Sequence, residues 1–145
     1  MRSSTTPKPK PARKPKVNRD TEPGWRYHRQ FALKAAQEAR RVLPLFEKEH
    51  PLDDRPRLAI EAIQAWGDEQ RKLGMAEVRK LSLDSHAAAR EAKTEAARFA
   101  ARAAGQAVAV WHAPTHAMAV PYYVCKARHA LKPTPKPKGK RASAA

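Results

Sequence analysis

Twenty-four residues from Leu43 to Trp66, LPLFEKEHPLDDRPRLAIEAIQAW, constrain the fold more than any other part of the chain. Pro44 lacks a backbone N–H and its ring crowds the preceding turn, so a helix reaching it is expected to end or kink there. Pro51, Asp53 and Asp54 read as a turn. Either aspartate can accept from the free N–H groups that open the next helix, and both place negative charge at its positive end. Pro56 falls in that helix's first turn, where a missing donor is harmless. Ala59, Ala62, Ile63 and Trp66 recur at helical spacing, and Gly67 supplies a stop. Trp66 ends the apolar face and is expected to be buried.

Helical periodicity extends to both sides. A first helix is expected to start between Trp25 and His28 and to reach about Leu43. Its stripe is His28, Ala32, Ala35, Ala36, Ala39, Val42, Leu43 and Phe46. Leu45 to Lys48 then form a separate short turn. Gly67 to Gly74 is a polar connection. A third helix runs from about Met75 to Thr94, with Met75, Val78, Leu81, Ser85 and Ala89 on one side and Leu83 off that line. A fourth runs from about Glu95 to Trp111. Its apolar face is Ala96, Ala100, Ala103, Ala107 and Val110, with Glu95, Arg98 and Arg102 on another side. Only alanine and charge separate these two, but one continuous helix would far exceed the average of about 11–12 residues. The last helix follows Pro114, from about Thr115, a candidate N-cap, to Leu131, with Pro121 inside it and Pro133 and Pro135 beyond. No run alternates apolar and polar residues long enough to make a strand. The expected class is all-α: one compact domain of four or five helices over residues 25–131.

Charge separates that domain from its flanks. The chain of 145 residues carries a net +16. Residues 1–24 hold seven Lys/Arg against two Asp/Glu, and residues 132–145 hold five against none, which leaves +6 for residues 25–131. The flanks, TTPKPKPARKPK and KPTPKPKGKRASAA, are rich in proline and mutually repelling lysine, and are expected to be disordered tails. Such tails bind nucleic acid weakly and without sequence preference. Cys125 is the single cysteine, so no disulfide forms within the chain, in keeping with a reducing compartment. No segment approaches the roughly 20 apolar residues of a membrane span, and the N-terminus lacks a signal peptide's apolar core. A cytoplasmic location is expected.

No enzyme signature stands out: no phosphate loop, no nucleophile elbow, no paired catalytic carboxylates. His86, His112, His116 and Cys125 are metal-capable, but Pro114 interrupts the His112–His116 spacing and no further ligand stands nearby, so no metal and no cofactor are expected. Asp53, Asp54, Arg55 and Arg57 crowd a helix start. They read as capping plus an Arg57–Glu61 pair, or as a charged rim that meets a partner. Trp25, Tyr27, Trp66, Trp111, Tyr122 and Tyr123 are expected as core and lid rather than as a surface that stacks on bases.

The Leu43–Trp66 stretch, in the form LPLFE…P.DDRPR.AIEA…W, resembles the all-α immunity proteins of bacterial polymorphic toxin systems, immunity family five. Glu77-Val78-Arg79-Lys80 is similar to a family EARK segment, and Ser85 to Arg90 to AHAAAR. Ala103 to Ala109 is similar to AAGHAVA, with Gln106 in place of the usual histidine. His112 to Ala117 with Tyr122-Tyr123 is similar to the family's ending. The likeness runs from about Lys34 to Ala130. Extra residues between Gly67 and Leu73 and the long basic tails depart from it. The resemblance implies a non-catalytic protein that binds and neutralises a cognate toxin domain, and it marks Trp66, His86, His112 and His116 as family-like core positions. Inhibitors of nucleases are often acidic, because charge complementarity speeds association. A domain of +6 implies either another kind of toxin or a locally acidic contact face. Glu47, Glu49, Asp53 and Asp54, with Arg55 and Arg57, are the candidate partner-binding residues. The alternative reading is a nucleic-acid-associated basic helical protein that works through its Lys/Pro-rich tails.

Overall fold

A helix with alanine around most of its circumference can be packed on several sides, and α4 (Glu95–Ala109), polar only along its Arg98–Arg102–Gln106 edge, is such a helix. In the structure, a computed structural model that describes residues 25–133, α4 packs against α1 (Trp25–Glu47), α2 (Arg55–Gly67), α3 (Met75–Glu91) and α5 (His116–His129). Ala97, Ala101, Ala104 and Val108 are buried along with the expected Ala96, Ala100, Ala103 and Ala107. Small side chains let the four neighbours approach closely, and those neighbours supply the bulk through Phe46, Ile60, Ile63, Trp66 and Val78. The described residues include no strand, so the all-α class stands. The expected tails lie outside the described residues, apart from Lys132 and Pro133.

The first helix corrects one expectation. α1 runs through Pro44 to Glu47, and Leu45 to Lys48 is not a separate turn. Pro44 removes only the bond to the Arg40 carbonyl, and both residues are exposed, so water can take the donor's place. On the opposite side Val42, Leu43 and Phe46 are buried and hold the backbone helical. The last turn closes with the Lys48 N–H on the Pro44 carbonyl and the His50 N–H on the Phe46 carbonyl, both at 2.9 Å.

α2 begins as the aspartates dictate. Asp53 Oδ1 accepts the Arg55 N–H at 3.1 Å, while Asp54 occupies the N-cap without a side-chain bond. Ala59, Ala62, Ile63 and Trp66 are all buried, and so are Pro56 and Ile60. The helix ends at Gly67, but the left-handed residue is Glu69, with φ 61°. Gly67 is required for a different reason: a β-carbon there would lie 2.6 Å from Leu33 Cδ2, so its absence brings α1 and α2 together.

α3 and α4 are two helices. Ala92 turns extended (ψ 139°), and the Thr94 hydroxyl accepts the Ala97 N–H at 3.2 Å as a cap. Glu49 holds this break from outside, accepting the Lys93 and Thr94 N–H groups at 3.1 and 2.8 Å. Glu49→Ala is therefore expected to cost about 1–2 kcal/mol in chemical denaturation, while a surface carboxylate such as Glu77 changes stability by less than about 0.5 kcal/mol. Equal effects at the two positions would show that the loop holds its shape without Glu49.

Three further expectations shift. Met75 opens α3 exposed rather than on its buried side. Thr115 precedes α5 but makes no side-chain cap bond. Of the aromatic residues, Trp66 and Trp111 are buried, and Tyr123 stacks on Phe99 at 6.2 Å between ring centres. Tyr27 and Tyr122 are exposed instead of forming a lid.

Candidate functional site

The charged residues of the Leu43–Trp66 stretch gather where the α1–α2 loop meets the α3–α4 break. Arg55 reaches Asp53 (Nη2–Oδ2 2.6 Å) and also Glu91 (Nη2–Oε2 2.5 Å), joining the start of α2 to the end of α3. Arg57 grips Glu47 with Nη2 at 2.6 Å and lies 3.7 Å from Glu61, the i,i+4 partner expected from sequence. Hydrogen bonding by Arg55 holds the Asp53 and Glu91 carboxyls below their usual range, and the same bonds raise the Arg55 guanidinium. Most of these charges therefore point at one another. Asp54 remains exposed beside Leu52, which is 98% exposed at the loop tip.

A second cluster runs along the edge of α4. Arg102 Nη1 donates to His86 Nδ1 at 3.4 Å, and His116 Nδ1 donates to Gln106 Oε1 at 2.7 Å. The His112 and His116 rings lie 4.9 Å apart. Gly105 makes room for the His86 ring, since a β-carbon there would sit 2.8 Å from His86 Nε2. The Ser82 and Ser85 hydroxyls donate to the Gly105 and Ala101 carbonyls at 3.0 and 2.7 Å, fixing α3 against α4. His86, His112 and His116 lie along this edge, each half-buried. Cys125 is exposed on α5, and among the described residues no group of three or more His, Cys, Asp or Glu could hold a metal ion.

A third feature lies between α1 and α5. It is an open groove of about 430 Å³ walled by Phe31, Lys34 and Glu38 on one side and by Pro114, Met118 and Pro121 on the other. Its apolar rim is unusual in exposure: Phe31 is 51% and Met118 80% accessible.

The model of the family described as Imm-5 like putative immunity protein matches residues 25–144. The chain belongs to the Imm-5 like family. No curated protein and no solved structure matches it. In this Imm-5 like fold the matched region takes in all five helices, so the charged corner, the histidine row and the groove are all parts of it. Among the described residues no helix is long and apolar enough to cross a membrane.

His86 is expected to make the stability of this Imm-5 like domain depend on pH. Burial first, then Arg102, Arg90 and His116, push the His86 imidazole below its usual pKa. The unfolded chain thus binds this proton more readily than the folded one. The stability that the neutral ring contributes is complete above the unfolded value, about 6.5, and is lost as pH falls below it. Thermal melts are expected to lose Tm between about pH 7 and pH 5, with a shallower loss in His86→Asn, which gains no proton there. Parallel pH profiles for the two proteins would contradict this.

The groove is what sequence reasoning missed. Tyr27, Phe31, Lys34 and Glu38 follow each other at helical spacing on a face beside the core stripe, and Phe31 in particular has no place in that stripe. That out-of-place aromatic was the available signal.

Proposed function

We propose that this Imm-5 like protein is a non-catalytic immunity protein. It binds a cognate toxin domain of a bacterial polymorphic toxin system and blocks it in the cytoplasm of the cell that makes both. The family match over residues 25–144 carries this reading. The packing is consistent with a pre-shaped binder: the core is alanine-tight and the corner charges are fixed in pairs, so little ordering remains to oppose association. The charged corner of Glu47, Glu49, Asp53, Asp54, Arg55 and Arg57 is one candidate face for this contact, with Asp54 its most exposed member.

The tails carry ten of the sixteen net positive charges and favour a second reading, in which the protein associates with nucleic acid. Growth separates the two. Co-expression of the full chain with candidate toxin domains from the neighbouring reading frames is expected to restore growth that one of those toxins alone abolishes. Unrelieved toxicity at matched expression would favour the nucleic-acid reading.

A further inference from the structure

We propose that the trough between α1 and α5 is the surface that receives the toxin, and that the toxin presents to it an apolar side chain flanked by carboxylates; this rests on the immunity reading. The groove walled by Phe31 and Met118 continues into a shallower hollow of about 270 Å³ that shares Glu38 and Pro121 with it and adds Arg128, His129 and Lys132. One half of the trough is apolar and the other basic.

Charge identifies the occupant. α5 carries Lys126, Arg128 and His129 and no carboxylate, and Lys132 follows it. Across the trough stands Lys34, and Glu38, the one acid in either hollow, lies 3.2 Å from Arg41 of its own helix. An acidic surface matches this field, whereas a basic one is repelled. The apolar half sets the second requirement. Exposed Phe31 and Met118 around a concave wall form the kind of pocket that takes one aromatic or aliphatic anchor, with methionine able to adapt its shape. A toxin of this surface chemistry also removes the difficulty that a basic immunity domain poses. The domain suits an acidic target rather than a basic nuclease face.

The test titrates purified candidate toxin domains from the neighbouring reading frames against the full-length protein and six variants, each first shown to melt like the parent. Phe31→Ser and Met118→Ser change exposed groove residues. Leu83→Ser on α3 and Leu52→Ser at the α1–α2 loop tip are exposed elsewhere. The expected result is an affinity loss of about 30-fold or more for the groove variants and less than about 3-fold for the other two. Lys34→Glu and Arg128→Glu are expected to slow association about 10-fold at low salt, with a smaller effect at high salt, a dependence that a merely structural role would not give. Unchanged binding by the groove variants with loss at Leu52→Ser would overturn the trough and leave the immunity reading standing. Three other results would also overturn it: a self-association that Phe31→Ser and Met118→Ser dissolve, duplex DNA binding lost on charge reversal with toxin affinity intact, and no binding by the parent. The last of these would take the immunity reading with it.

Discussion

Trp66→Ala is expected to destabilise the protein by about 3–5 kcal/mol, enough to unfold much of a domain whose total stability is of ordinary size, about 5–15 kcal/mol. Trp66 is fully buried, and it ends a helix whose other inward residues, Ala59, Ala62 and Ile63, cannot expand into the space it would leave. The ring is engaged from α1 as well. The His28 ring meets it edge-on with 5.4 Å between centres, and the Arg29 guanidinium lies 4.4 Å from its centroid. Truncation therefore removes apolar area, opens a cavity and strips two polar neighbours of their aromatic partner. Urea denaturation of the variant is the check, with Trp66→Phe expected to recover part of the loss. A Trp66→Ala variant that melts within a few degrees of the parent would contradict the burial.

The second large effect belongs to Arg29, a cation with only 8% of its surface accessible. It donates through Nη1 to the Trp66 carbonyl at the end of α2, lies over the Trp66 ring, and approaches Glu69 at 3.7 Å. Arg29→Ala removes a charged donor from the Trp66 carbonyl, which keeps the Glu69 N–H at 3.1 Å, at a cost of about 1 kcal/mol, and removes a desolvated cation–π contact of about 2 kcal/mol. A total loss of about 3 kcal/mol is expected. Arg29→Lys keeps the charge but not the planar fork, and should recover less than half of it. A loss below about 0.5 kcal/mol for Arg29→Ala would mean that the Glu69 N–H alone satisfies the carbonyl and that the cation–π contact adds nothing.

Arg29 also shows where sequence stops being informative. It stands next to His28 on the expected stripe and looks like an ordinary surface cation, because its partner Trp66 lies 37 residues away. Local pairs were legible and distant ones were not. Arg57–Glu61 follows from i,i+4 spacing, whereas Arg57–Glu47 and Arg55–Glu91 depend on how helices meet. One-sided helices were legible for the same reason: the α2 face follows from Ala59, Ala62, Ile63 and Trp66, to which the structure adds Ile60 and Pro56. The α4 helix was read as one face, because alanine is compatible with both surface and core and only the packing of four neighbours decides between them. At Pro44 a strong local rule gave way to tertiary burial of Val42, Leu43 and Phe46. The groove was hidden because a sequence shows which residues leave a stripe, but not that the off-stripe faces of α1 and α5 meet.

The central claim, that this Imm-5 like domain acts by binding a toxin, is tested most directly by one calorimetric titration carried out at two salt concentrations. The full chain is titrated against candidate toxin domains from the neighbouring reading frames and, separately, against duplex DNA. Each phosphate contact costs DNA binding about 0.9 log units of affinity per tenfold rise in salt, so the basic tails should give a DNA signal at low salt that physiological salt largely removes. A protein interface with an apolar centre and a charged rim is affected far less. The expected result is a tight one-to-one toxin complex at both salt concentrations, with DNA binding only at the lower. Sequence-selective DNA binding that survives physiological salt, with no toxin complex at either concentration, would contradict it.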